Sequence, residues 1–77
     1  MKVTLESTSK IVALIVNGAD VPARIWEGES STGVKCHAYI TRIAVSKDDD
    51  AGEFERDLTV HAAPTPEIRA IPLRMIL

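Results

Sequence analysis

Apolar and polar residues alternate along much of this chain, and the alternation reverses at a few sharp points. The clearest lies in Lys10–Trp26, KIVALIV-NG-ADVPARIW. Two apolar runs flank Asn17-Gly18. A two-residue type I′ turn needs positive φ at both central residues, which Asn and Gly tolerate best. The register follows from that turn. Val16 is expected to face Ala19, Leu14 Val21, Val12 Ala23 and Lys10 Ile25. Residues directly opposite share a sheet face. One face is then Val12, Leu14, Val16, Val21, Ala23 and Ile25, which reads as core. The other holds Ile11, Ala13, Ile15, Asp20, Pro22, Arg24 and Trp26. Pro22 cannot donate to a ladder, so its nitrogen should face an edge or a bulge.

Before the hairpin, Val3 and Leu5 alternate with polar residues. That stretch is either a short edge strand or a lead-in, and Ser7-Thr8-Ser9 breaks it. After the hairpin, the polar stretch from Glu27 to Gly33 reads as a longer loop. Val34–Val45 is rich in β-branched residues and predicts a strand of about 8–12 residues. Cys36, Ala38 and Ile40 keep one phase, and Ile43 and Val45 the opposite one. Either both faces are covered, or a bulge near Thr41-Arg42 resets the register.

The period then changes. Ala51, Phe54, Leu58 and Ala62 recur at helical spacing. Ser46 as N-cap with Asp49 three residues on resembles a capping box. These signals predict a helix over about 47–61, stopped before Pro64 and packed through Phe54 and Leu58. Ala63-Pro64-Thr65-Pro66 reads as a stiff linker. Beyond it Ile71, Leu73, Met75 and Leu77 resume a two-residue period, with Pro72 confining that strand to an edge. The fold class expected is α+β: a small antiparallel sheet of about four to five strands, one helix and a C-terminal strand.

The chain has 77 residues, enough for a single domain over 1–77. Such a chain buries only about 60–65% of its extended surface. Self-association is therefore expected to help, at least to a dimer. The single cysteine, Cys36, excludes an internal disulfide and fits a reducing compartment. No apolar run is long enough for a spanning helix. The opening MKVTLEST lacks the apolar region of a signal peptide. The expected setting is intracellular and away from membranes.

A net charge of −2 argues against a general nucleic-acid binder, and no direct nucleic-acid contact is expected. The charge is uneven, however. Residues 47–57 carry Asp48, Asp49, Asp50, Glu53, Glu55 and Asp57 against Lys47 and Arg56, a net −4, and the remainder is net +2. This run is either a solvated, well-capped helix or a surface that engages a basic partner, as a nucleic-acid mimic does. Its candidate binding residues are Asp48, Asp49, Glu53 and Asp57. Arg24 and Trp26, two apart on one strand, form a second candidate face through a cation–π contact. Alternatively, Trp26 closes the second side of a small core. Arg42, Arg69 and Arg74 are either anion-binding or exposed strand residues paired with acids.

Cys36-His37 and distant His61 fall short of the four ligands of a structural zinc site. No phosphate-loop, dinucleotide, zinc-protease or nucleophile-elbow motif occurs. The expectation is no catalytic residue, no cofactor and no metal.

Four segments carry a resemblance: LIVNGADVPARIWEGE, YITRIAV, DAGEFERDL and EIRAIPLRMIL. Together they resemble small proteins encoded by tailed phages and prophages of Gram-negative bacteria. The resemblance covers most of the chain. It implies a phage origin and a setting in the host bacterial cytoplasm. Small acidic phage proteins of this class often inhibit bacterial defence, so by class analogy an anti-CRISPR role is expected. The partner would be a bacterial host protein or ribonucleoprotein complex. The alternative is a self-associating structural or accessory phage protein without a host target.

Overall fold

The Asn17-Gly18 turn organises the sheet. Both residues take positive φ, 51° and 80°, as a type I′ turn requires. The turn joins β1 (Val3–Val16) to β2 (Ala19–Ser30). Val16 lies opposite Ala19, Leu14 opposite Val21 and Val12 opposite Ala23, as the sequence predicts. Val12, Leu14, Ala23 and Ile25 are buried, with Val21 packed against them. The computed structural model describes residues 1–76; Leu77, grouped by the sequence pattern with Ile71, Leu73 and Met75, lies outside the described residues.

The predicted register stops at Ile11. Below it Ser7 lies opposite Trp26, so Thr8, Ser9 and Lys10 together stand against Ile25. Lys10 therefore does not pair with Ile25. Thr8 occupies the place instead, only 1% exposed. Its hydroxyl donates to the Ile25 carbonyl at 2.6 Å and accepts from the Lys10 amide at 3.3 Å. The Arg24 guanidinium donates to the Thr8 carbonyl at 2.7 Å. On the outer side, the Ser9 amide donates to the Ala62 carbonyl and the Ala62 amide to the Ser7 carbonyl. A buried backbone group must find a partner, and the polar Ser7-Thr8-Ser9 stretch supplies partners where the ladder fails. Thr8→Val keeps the shape and removes the hydroxyl. It is expected to cost about 1–3 kcal/mol, because the Ile25 carbonyl loses its partner. Denaturant unfolding measures this, and a loss within about 0.5 kcal/mol, the range of ordinary surface substitutions, would contradict the role given to Thr8.

β3 (Lys35–Ile40) pairs antiparallel with β2, Ile40 opposite Arg24 and Cys36 opposite Gly28. It ends before the phase of the apolar residues reverses, so neither a bulge at Thr41-Arg42 nor a longer strand is present. The last strand, β4 (Arg74–Ile76), runs parallel to β1, with Met75 beside Leu14. The order is β3-β2-β1-β4. The sheet is thus mixed, and largely β in content, where a purely antiparallel one was expected. Pro72 precedes β4, an edge strand. Pro22 sits on β2 beyond the reach of β3, where its nitrogen faces no neighbour.

Two helices replace the single long one. α1 is Ala51–Asp57, capped by Asp50 rather than Ser46, and buries no residue. Phe54 and Leu58 are only half-buried. α2 (Pro66–Arg69) forms where a linker and strand were expected, and it closes the core. Its Ile68 is 3% exposed against Val12, Leu14, Ala23 and Ile25. Pro66 suits the start of a helix because its missing N–H would have no partner there. The Glu27 carboxylate fixes the entry, accepting from the Thr65 amide at 3.1 Å and the Thr65 hydroxyl at 2.7 Å. No helix is long and apolar enough to cross a membrane among the described residues.

Candidate functional site

The acidic stretch lies between β3 and the return of the chain to the edge of β1. The Asp49 amide closes a turn on the Ser46 carbonyl at 3.0 Å. Asp50 then caps α1, its carboxylate accepting from the Glu53 amide at 3.0 Å. Asp is a strong N-cap because its oxygen satisfies an amide that the helix leaves free. Asp48 and Asp49 consequently precede the helix instead of filling its first turn. At the far end the Thr59 hydroxyl donates to the Arg56 carbonyl at 2.7 Å.

Glu53 and Asp57 are four apart and share one side of α1. Asp49, Asp50, Glu53 and Asp57 line a shallow concavity of about 430 Å³ with Phe54, Ala44, Val45 and Ser46. Like charges four apart on a helix oppose its formation by about 0.2–0.5 kcal/mol. No ion pair relieves them. Among the described residues the ion pairs are Lys35–Glu29 and Arg74–Asp20, both elsewhere and exposed. Unpaired carboxylates around an aromatic ring suit a cationic side chain. The carboxylates supply the charge, and the ring can face the cation or its aliphatic stem.

Of the residues singled out from sequence, the structure gathers Asp49, Glu53 and Asp57. Asp48 is exposed nearby but does not line the concavity. Arg24 and Trp26 do not join it either. Both are half-buried on the sheet. Arg24 spends a donor on the Thr8 carbonyl at the bulge, so its clearest role is structural. Arg74 pairs with Asp20 at 3.1 Å, not with the acidic helix. Asp50, which also lines the concavity, is legible in the sequence as the last acid before the helical spacing begins.

A second groove, about 700 Å³, is lined by Glu6, Glu27, Lys35, Cys36, His37 and Glu67 along with the 62–66 segment. Glu6 faces Glu27 across the ladder only because of the bulge. The turn register would have set Glu6 against Glu29, so sequence reasoning had no route to this groove. Cys36 and His37, adjacent on a strand, point to opposite faces. The His37 ring meets Tyr39 edge-on at 5.4 Å, with Nε2 3.3 Å from its hydroxyl. His61 is not part of the groove. Among the described residues no group of three or more His, Cys, Asp or Glu is arranged to hold a metal.

Compared with known proteins, the chain matches no family model, and neither a curated protein nor a solved structure matches it.

Proposed function

We propose that this chain is a non-catalytic, phage-encoded binding protein that blocks a bacterial immune complex of the CRISPR kind by occupying a surface. It would act in the host bacterial cytoplasm, without cofactor or metal. The observation that carries the reading is the exposed, unpaired set of Asp49, Asp50, Glu53 and Asp57 around Phe54. Complexes that grip nucleic acid present arginines and lysines to phosphate. An exposed set of carboxylates would compete for the same positive surface. Such a field speeds docking and weakens with salt, because the Debye length is about 10 Å at 0.1 M and about 3 Å at 1 M.

The test uses a variant that keeps shape and removes charge: Asp49→Asn, Glu53→Gln and Asp57→Asn together. Asp50 is left in place because it caps the helix. Tagged wild-type chain should co-purify stoichiometrically with one host component, less as salt rises. The variant, shown to be folded by circular dichroism, should lose that component. A folded variant that retains it at low salt would sink the reading. A second reading, self-association without a host target, is favoured by the open outer edge of β3. It predicts a symmetric oligomer and no co-purifying host protein.

A further inference from the structure

We propose that the outer edge of β3 pairs antiparallel with the same edge of a second copy, about a twofold axis at His37, merging two four-stranded sheets into one. This interface does not depend on the acidic-segment reading and is compatible with either proposed function.

The backbone directions come first. The Ala13 amide donates to Leu73 on β4, so Ala13 and its opposite, Pro22, direct their backbone groups away from each other. Antiparallel pairs alternate in this way. The Ile25 carbonyl points to β1, since it accepts from Thr8. Arg24, Trp26 and Gly28 therefore point to β3 and bond Ile40, Ala38 and Cys36, their register partners. That leaves Lys35, His37 and Tyr39 directing N–H and C=O outward. No other described segment bonds these groups.

An edge of this kind is normally blunted by proline, a bulge, a lysine, extreme shortness or a covering segment; Lys35, at the end of β3, is paired with Glu29 at 3.3 Å. β3 contains no proline, pairs without a bulge and runs for 6 residues. The opposite edge is different. As described, β4 is 3 residues long, and its Arg74 is tied to Asp20. A twofold pairing uses the β3 edge of both copies, so the assembly closes at two instead of growing into a fibre.

The edge also matches itself. With His37 on the axis, it faces His37 of the second copy, and Lys35 faces Tyr39. Every outward residue then exchanges both of its bonds. On the opposite face Cys36 meets Ala38, and Val34 meets Ile40. Val34 is 63% exposed in the single chain, and this register gives it an apolar neighbour. Lys35 gains an aromatic ring to lie across. Among the described residues the buried apolar core of one copy is Val12, Leu14, Ala23, Ile25 and Ile68, so added burial matters in a chain this short.

Sedimentation of the full chain should show a dimer at micromolar concentration. His37→Pro removes one outward N–H and leaves the bonds to β2 intact, so it should sediment as a folded monomer. His37→Ala, which keeps the amide, should remain dimeric. Amide exchange gives a readout that does not depend on the proline variant folding. In the wild-type dimer the His37 and Tyr39 amides should exchange at least about tenfold more slowly than on dilution to monomer. A wild-type monomer at every concentration would overturn the proposal. So would a folded His37→Pro dimer, or unprotected His37 and Tyr39 amides in a dimer. Protection gained only on adding a host component would assign the edge to that partner and overturn the second-copy assignment.

Discussion

Ile68→Ala is expected to destabilise the protein by about 2–5 kcal/mol, more than any other single truncation of an apolar side chain outside the sheet. Among the described residues Ile68 is the one core residue supplied by a helix, and it is almost fully buried in a cluster with Val12, Leu14, Ala23 and Ile25. Its removal leaves a cavity under a helix of only 4 residues, which has little rigidity of its own. In a domain of this size each 1 kcal/mol lowers the unfolding midpoint by about 4–8 °C. The midpoint should therefore fall by roughly 8 °C or more. Phe54→Ala supplies the contrast. Phe54 is half-buried in a helix that buries nothing, so about 1 kcal/mol is expected, the centre of ordinary substitutions. Thermal unfolding of both variants checks the order. A larger loss from Phe54 would place the true core under α1.

Gly28→Ala is the second large effect. A Cβ at Gly28 would lie 1.8 Å from the Thr4 carbonyl oxygen and 2.8 Å from its carbon. Both are backbone atoms, so no rotamer change relieves the clash. The lower halves of β1 and β2 must move apart, taking Leu5–Gly28 and Glu6–Glu27 out of register. A cost of about 3 kcal/mol or more is expected, at the upper end for overpacking. The loss should be local first. Amide exchange should quicken over 3–7 while the Asn17-Gly18 end stays protected. Uniform protection with unchanged stability would show that the strands are not held this close.

The parts legible in the sequence are those set by local chemistry. Asn17-Gly18 fixes a turn whose dihedrals few other pairs accept, and the alternation on either side turns that into a register as far as Ile11. Pro22 and Pro72 marked unpaired backbone for an equally local reason. The bulge at Thr8 was not legible, because its partners Ile25, Arg24 and Ala62 are brought together only by the folded chain. Ser7-Thr8-Ser9 does interrupt the ladder, and its polar groups satisfy the backbone at the interruption. The helix was overextended at both ends. Asp50 caps more directly than Ser46, and the β-branched pair Thr59-Val60 has no buried face to hold it helical. α2 is not legible in the sequence because a segment of 4 residues shows no period, and Ala63-Pro64-Thr65-Pro66 has the composition of a linker. The parallel placement of β4 depends on a crossover that no local signal specifies. For the candidate site, the charge run and helical spacing single out Asp49, Glu53 and Asp57, which line one concavity. Helical spacing misplaced Asp48, and Arg24 was drawn to the bulge, which the sequence did not reveal.

The most direct test of the proposed action is plating of a phage on bacteria whose CRISPR immunity targets it. Cells expressing this chain should allow the phage to plate, and cells expressing the folded Asp49→Asn, Glu53→Gln, Asp57→Asn variant should not. Bacteria without that immunity should plate the phage equally in every case. Failure of the wild-type chain to relieve immunity, or equal relief by the folded neutral variant, would contradict action through the acidic surface.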